Sequence, residues 1–171
     1  MSETMIANLR QFARYNRWAN ARLADACEEL DETAYKAPRT AFFGSIHGTL
    51  NHILVNDRIW VSRLEGRACA IKALDEKLYG QLENLRTAQY ANDLRLISLV
   101  DELDEAALAR VVPYTTIDNS GSFSDAAWLL LVNLFNHQTH HRGQVHDLLS
   151  QTAVAPPPLD LIFYARENAR G

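Results

Sequence analysis

Asn136-His137-Gln138-Thr139-His140-His141-Arg142-Gly143-Gln144 holds three of the six histidines of this 171-residue chain. It lies in a run from Ser124 or Asp125 to about Gln151 whose apolar residues recur at helical spacing. Pro156-Pro157-Pro158 beyond it is a hard stop. Each residue of an α-helix advances about 100°, so residues four apart stack on one face. His137 and His141 are such a pair, and their face also carries Leu130, Leu134, Val145 and Leu148. Both rings are therefore expected to point into a packed interior. His140 falls with Asn133, Asn136 and Asp147 on a polar face and is the weaker ligand. Two imidazoles at this spacing can grip one metal ion, but a third ligand has to come from elsewhere. Alone, a core histidine is more simply read as hydrogen-bonded and neutral; two stacked on one buried face each need a partner in the same space.

Working outward, a second long helix is expected from Gly44 or Ser45 to about Leu64, with Gly66 as its stop. It offers His47 and His52, whose five-residue separation places them about 140° apart, so they do not share a target. The face through His52 carries Ser45, Gly48, Thr49, Val55, Asn56 and Ile59, which leaves room for a ligand. His47 lies with Leu50, Leu54, Arg58 and Val61, nearer the helix edge. Periodicity favours His52 as the third ligand and keeps His47 as the alternative. His146 lies about 140° round from His141 and belongs at a surface or rim. Three neutral imidazoles around one ion leave open positions, as catalytic sites do. Such a set suits Zn²⁺ with a bound water, or Ni²⁺, Co²⁺ or Fe²⁺.

A first helix is expected from a Ser2-Glu3-Thr4 cap to about Leu30. Its apolar stripe is interrupted by Asn16 and Asn20. Buried amides need partners. Either they bond neighbouring backbone or, with Thr49 and Asn56, they line a pocket. Residues Asp31 to Phe43 read as a loop around Pro38. A third helix runs from near Asp75 or Leu78 to about Leu103. Val111 to Ile117 is β-branched and aromatic, and a turn-rich Asp118 to Phe123 follows, so a short hairpin or an extended segment precedes the fourth helix. Asp160 to Arg166 makes one or two further turns. The sum is an all-α chain: a four-helix bundle with that short segment and a short C-terminal helix.

The length fits one domain, 1–171. A net charge of −4 without a Lys/Arg cluster argues against a nucleic-acid partner. The longest apolar run, Ala126 to Val132, is far short of a membrane span. The start lacks the pattern of a signal peptide. Cys27 and Cys69, without a CxxC context, read as small buried hydrophobes of a reducing cytoplasm rather than a metal or redox pair.

The motifs so far carry a resemblance. Tyr15-Asn16-Arg17-Trp18-Ala19-Asn20-Ala21-Arg22-Leu23, Ser45-Ile46-His47-Gly48-Thr49-Leu50-Asn51-His52-Ile53, the opening stretch and Pro157-Pro158-Leu159-Asp160-Leu161-Ile162-Phe163-Tyr164 together resemble the DinB/YfiT-like family, in order over nearly the whole chain. The resemblance implies an up-down-down-up bundle with a divalent metal at one end, zinc or nickel foremost. It maps the three ligands onto His52, His137 and His141, supporting His52 over His47. It also implies a homodimer formed through helix surfaces. Some relatives are metal-dependent thiol transferases, and others are of unknown activity and induced by DNA damage.

Two functions follow as expectations. The first is a metal-dependent enzyme, a thiol transferase or a hydrolase acting on a small molecule with or without a thiol cosubstrate. No Glu lies three residues before a His, which disfavours H-E-x-x-H peptide hydrolysis. The second is a non-catalytic metal-binding bundle serving stress response or ligand binding.

Overall fold

The computed structural model describes residues 2–169. Four long helices carry it: α1 (Ser2–Glu28), α3 (Ile46–Leu64), α4 (Leu82–Asp101) and α6 (Ala127–Ser150). Short helices α2 (Glu32–Lys36), α5 (Glu105–Ala109) and α7 (Leu161–Asn168) join or follow them, and strands β1 (Val111–Thr115) and β2 (Ser122–Ala126) pair antiparallel before α6. α1 packs on α4 and α6, and α3 packs on the same two. Among the described residues no helix is long and apolar enough to cross a membrane.

The local signals explain most boundaries. The Ser45 side chain accepts a 2.9 Å hydrogen bond from the Gly48 N–H, capping α3. Gly66 ends that helix in the left-handed region at φ 67°, and the Arg67 N–H donates back to the Ser62 carbonyl at 2.8 Å. The expected loop over Asp31 to Phe43 contains a turn of helix: Asp31 caps α2 by accepting from the Ala34 N–H at 2.7 Å. α4 begins at Leu82, later than its sequence pattern implied, because the chain before it is held by long-range hydrogen bonds. There the Tyr79 N–H donates to Asn51 Oδ1 at 3.0 Å, and Asn51 Nδ2 donates to the Tyr79 carbonyl at 3.2 Å. The segment before α6 is a hairpin, with Pro113 opposite Ser124 and Tyr114 opposite Phe123. Asp125, expected as a helix cap, instead accepts from the Tyr114 hydroxyl at 2.8 Å, so β2 runs directly into α6.

The core has two large apolar parts, beside a smaller cluster of Leu54, Leu85 and Ala88. One gathers Leu9, Val61, Leu96, Leu131 and Leu134. The other gathers Leu23, Ile53, Val145, Leu148 and Leu149. Between them along each helix lie buried polar residues: Asn16 on α1, Asp57 on α3, Asp93 on α4, and Gln138 and Arg142 on α6. Cys27 is buried and free as expected; Cys69 is free but only half-buried.

Candidate metal centre

His137 and His141 stack on one face of α6, with ring centroids 4.2 Å apart. His52, in the second turn of α3, faces both, at 5.0 Å from His137 and 4.5 Å from His141. One ligand nitrogen from each ring lies within 4.8 Å of the others. The sequence pattern placed these rings inward, and the structure brings them together at mid-length of α6, beside the buried polar residues.

The surroundings decide which nitrogens face the centre. His52 Nδ1 lies 2.7 Å from the Leu74 carbonyl, which only accepts. Nδ1 therefore carries the proton, and Nε2 keeps its lone pair. His141 Nδ1 donates to Gln144 Oε1 at 2.7 Å, which likewise leaves its Nε2 a lone pair. His52 Nε2 and His137 Nε2 stand 3.1 Å apart. Two imidazole nitrogens at about 2.0–2.1 Å from one tetrahedral ion are about 3.3 Å apart, so the pair has the spacing of shared ligands. His137 Nδ1 is buried without a partner among the described residues. An orienting acceptor on the outer nitrogen is what ligating histidines usually have; two of the three have one.

Charge follows the same logic. Burial lowers His137 to about 3, with the neighbouring His141 and His52 pushing the same way. Burial lowers His141 to about 4, against the opposing bond to Gln144. Burial also lowers His52, again opposed by its bond to Leu74. All three are neutral at pH 7, the form that binds metal.

Phe43 closes one side. Its ring stacks on His52 at 3.8 Å between centroids and stands edge-on to His141 at 5.6 Å. The other histidines are elsewhere. His47 Nε2 bonds the Tyr79 carbonyl at 2.9 Å and the ring packs on Tyr35. His140 is exposed, its Nε2 3.3 Å from Gln144 Nε2, and His146 is half-buried.

The four polar pocket candidates lie as follows. Thr49 is buried and its hydroxyl donates back to the Ser45 carbonyl at 2.9 Å. Asn56 is buried, accepts from Trp60 Nε1 at 3.1 Å and leaves Nδ2 unpartnered. Asn16 and Asn20 bind a network that sequence reasoning missed. Asp93 Oδ1 accepts from Asn16 Nδ2 at 3.2 Å, from Asn20 Nδ2 at 3.1 Å and from Gln89 Nε2 at 3.1 Å. Asp57 Oδ2 accepts from Gln89 Nε2 at 2.9 Å and from Gln138 Nε2. The oxygens of Asn16, Asn20 and Gln138 accept in turn from Arg142 Nη1. The signal was present: Ile53, Asp57, Val61 and Leu64 share one helical stripe, and so do Leu131, Phe135, Gln138, Arg142, Val145 and Leu149.

Known proteins add a name to this arrangement. The DinB family model matches residues 1–170. The protein DinB of Bacillus subtilis (strain 168) is 27% identical over 157 residues, which span 88% of this chain and 89% of that protein.

Proposed function

The chain belongs to the DinB family, and on that premise we propose that it is a metal-dependent enzyme acting on a small molecule, with His52, His137 and His141 holding one divalent ion. The observation that carries the reading is the convergence of the three rings, with the outer nitrogens of His52 and His141 both committed as donors. Zinc and nickel are the metals we favour, since neutral imidazole suits both. A divalent ion there would lower the pKa of a bound water or thiol and supply a nucleophile near neutral pH. The chain's own residues do the rest. Leu74 and Gln144 fix two ring orientations, burial keeps the imidazoles unprotonated, and Phe43 shields His52 from solvent.

Thiol transfer is the reaction class we place first. A thiolate would form a carbon–sulfur bond to an electrophile, the leaving group would depart with its electron pair, and the thiol proton would pass to solvent. Hydrolysis of a small substrate is the variant with water in place of the thiol. The test is stoichiometric metal by elemental analysis, lost in His52→Ala and His141→Ala, together with thiol-dependent consumption of an electrophile that disappears in His137→Ala. Undiminished turnover in His137→Ala would overturn the reading.

One observation favours a second reading, a non-catalytic metal-binding bundle. Among the described residues no carboxylate joins the three histidines as an acid–base partner. On that reading, chelation lowers the melting temperature while no small molecule competes at the open side. A proton on His137 Nε2, donated to His52, would satisfy the 3.1 Å contact without any ion; metal-free protein on elemental analysis is its signature.

We also read the four long helices as an up-down-down-up bundle. The first apolar part takes the early half of α1 and α6 but the late half of α3 and α4, while the second takes the late half of α1 and α6 and the early half of α3. A single domain over 1–171, a cytoplasmic setting and a homodimer through helix surfaces complete the proposal. Exposed Phe12, Trp128 and Leu129 supply apolar area for such a contact.

A further inference from the structure

A cavity of about 320 Å³ opens between α1 and α4, away from the histidines. The sequence makes the room: α1 presents Ala21 and Ala24 where larger residues would fill the groove. Leu50, Ile53, Leu82 and Leu85 form its apolar walls. At its polar side lie Asn20, Gln89 and Asp93, and Asp93 is 2% exposed.

The buried network behind this wall has more carboxylates than cations. It holds two carboxylates, Asp57 and Asp93, and one guanidinium, Arg142. Arg142 Nη1 donates to amide oxygens rather than to either carboxylate, so its charge acts on Asp57 and Asp93 across space, without a direct hydrogen bond. Asp93 Oδ1 is saturated by three amide donors, whereas Oδ2 receives one, from Asn20 at 3.2 Å. Asp57 Oδ1 has no partner among the described residues. Arg86, on the cavity wall, is engaged elsewhere: Asp25 and Glu28 each hold it at 2.6 Å. Arg17 is the remaining cation on the wall. Burial pushes Asp93 up to about 6, so it is ionised at pH 7.5, where amide donors and no cation bond it directly.

We propose that this cavity binds a small primary amine with an apolar body, its ammonium donating to Asp93 Oδ2 and its hydrocarbon lying against Ala24, Leu50, Ile53 and Leu85. A charge-assisted hydrogen bond at a buried carboxylate, beside an apolar wall, selects such a molecule over its neutral and anionic isosteres. The inference does not rest on the metal reading.

Calorimetric titration of the full chain at pH 7.5 with 3-phenylpropylamine, 3-phenylpropanol and 3-phenylpropionate tests it. The amine is expected to bind at least about tenfold more tightly than the other two. Asp93→Asn should bring the amine down to the level of the alcohol. Ala24→Leu should abolish binding while leaving the melting temperature no lower. His137→Ala should bind the amine as the native chain does. Absence of saturable amine binding, an equal or tighter grip on the alcohol or the propionate, or binding retained in Ala24→Leu would overturn the proposal. So would loss in His137→Ala, which would place the amine at the histidines instead. If Asp93→Asn fails to fold, the Ala24→Leu result decides alone.

Discussion

Gln144 decides which nitrogen His141 offers. Its Oε1 takes the Nδ1 proton at 2.7 Å, so Nε2 is left to face His52 and His137. The equivalent acceptor for His52 is the Leu74 carbonyl, which no side-chain substitution removes. Gln144→Ala is therefore the clean probe of outer-nitrogen orientation. It should weaken metal binding by about 10–100-fold without unfolding the chain, as measured by competition with a chromophoric chelator. Unchanged affinity would mean that His141 does not need this partner, or is no ligand. His140→Ala is the matched control and should leave metal content as it was, because that ring is exposed and stands outside the three-histidine cluster. At this scale the sequence was informative where a helix fixes geometry: spacing alone grouped His137 with His141 and turned both inward. Leu74 could not be found that way, since a backbone carbonyl in an irregular segment leaves no mark in the residue pattern.

At the scale of the element, α3 is fixed to the turn before it by a close approach. A Cβ on residue 48 would stand 2.1 Å from the Phe43 carbonyl oxygen, which is backbone and has little room to yield, so Gly48 fits where a side chain would not. Phe43 is also the residue stacked on His52. Helix propensity alone says that Gly48→Ala stabilises by about 1 kcal/mol. The clash says the opposite, and overpacking of this kind costs about 1–3 kcal/mol. We expect the clash to win: urea denaturation should show a net loss, and metal affinity should fall as Phe43 shifts. A gain in stability would refute this account of the turn. Gly143 on α6 is the contrasting case, because a methyl group there would meet nothing within 4 Å. Gly143→Ala should stabilise by roughly 0.5–1 kcal/mol in the same assay. The element boundaries legible in advance were those set by local chemistry, such as Ser45 and Gly66. The start of α4 was not, because long-range bonds between Asn51 and Tyr79 override a weak helical pattern there. Asp57 and Asp93 were legible in principle as interruptions of apolar stripes, but charged residues default to the surface unless their partners are known, and those partners lie on other helices.

Across the whole molecule, the polar residues between the two apolar parts make stability depend on pH in a definite direction. Asp57 ionises near 3.8 in an unfolded chain, and burial together with the charge of Asp93 raises it to about 8 in the fold. Between those values the folded state keeps a proton that the unfolded chain has released. The contribution of Asp57 is thus complete below pH 3.8 and is lost as pH rises to 8. Asp93 behaves likewise but finishes near 6. His137 and His141 act in reverse: their folded values of about 3 and 4 lie below the ordinary 6.5, so their contribution is complete above 6.5 and is lost as pH falls. The window from about 6.5 to 8 is therefore governed by Asp57 among these groups. Chemical denaturation of chelated protein should show stability falling by roughly 1–2 kcal/mol across that window. Asp57→Asn, which keeps the shape and removes the titration, should flatten this limb while the acid limb set by the histidines persists. A native chain with level stability over the window, or an Asp57→Asn variant with an unchanged slope, would show that the network's missing positive charge is supplied by something other than a proton on Asp57.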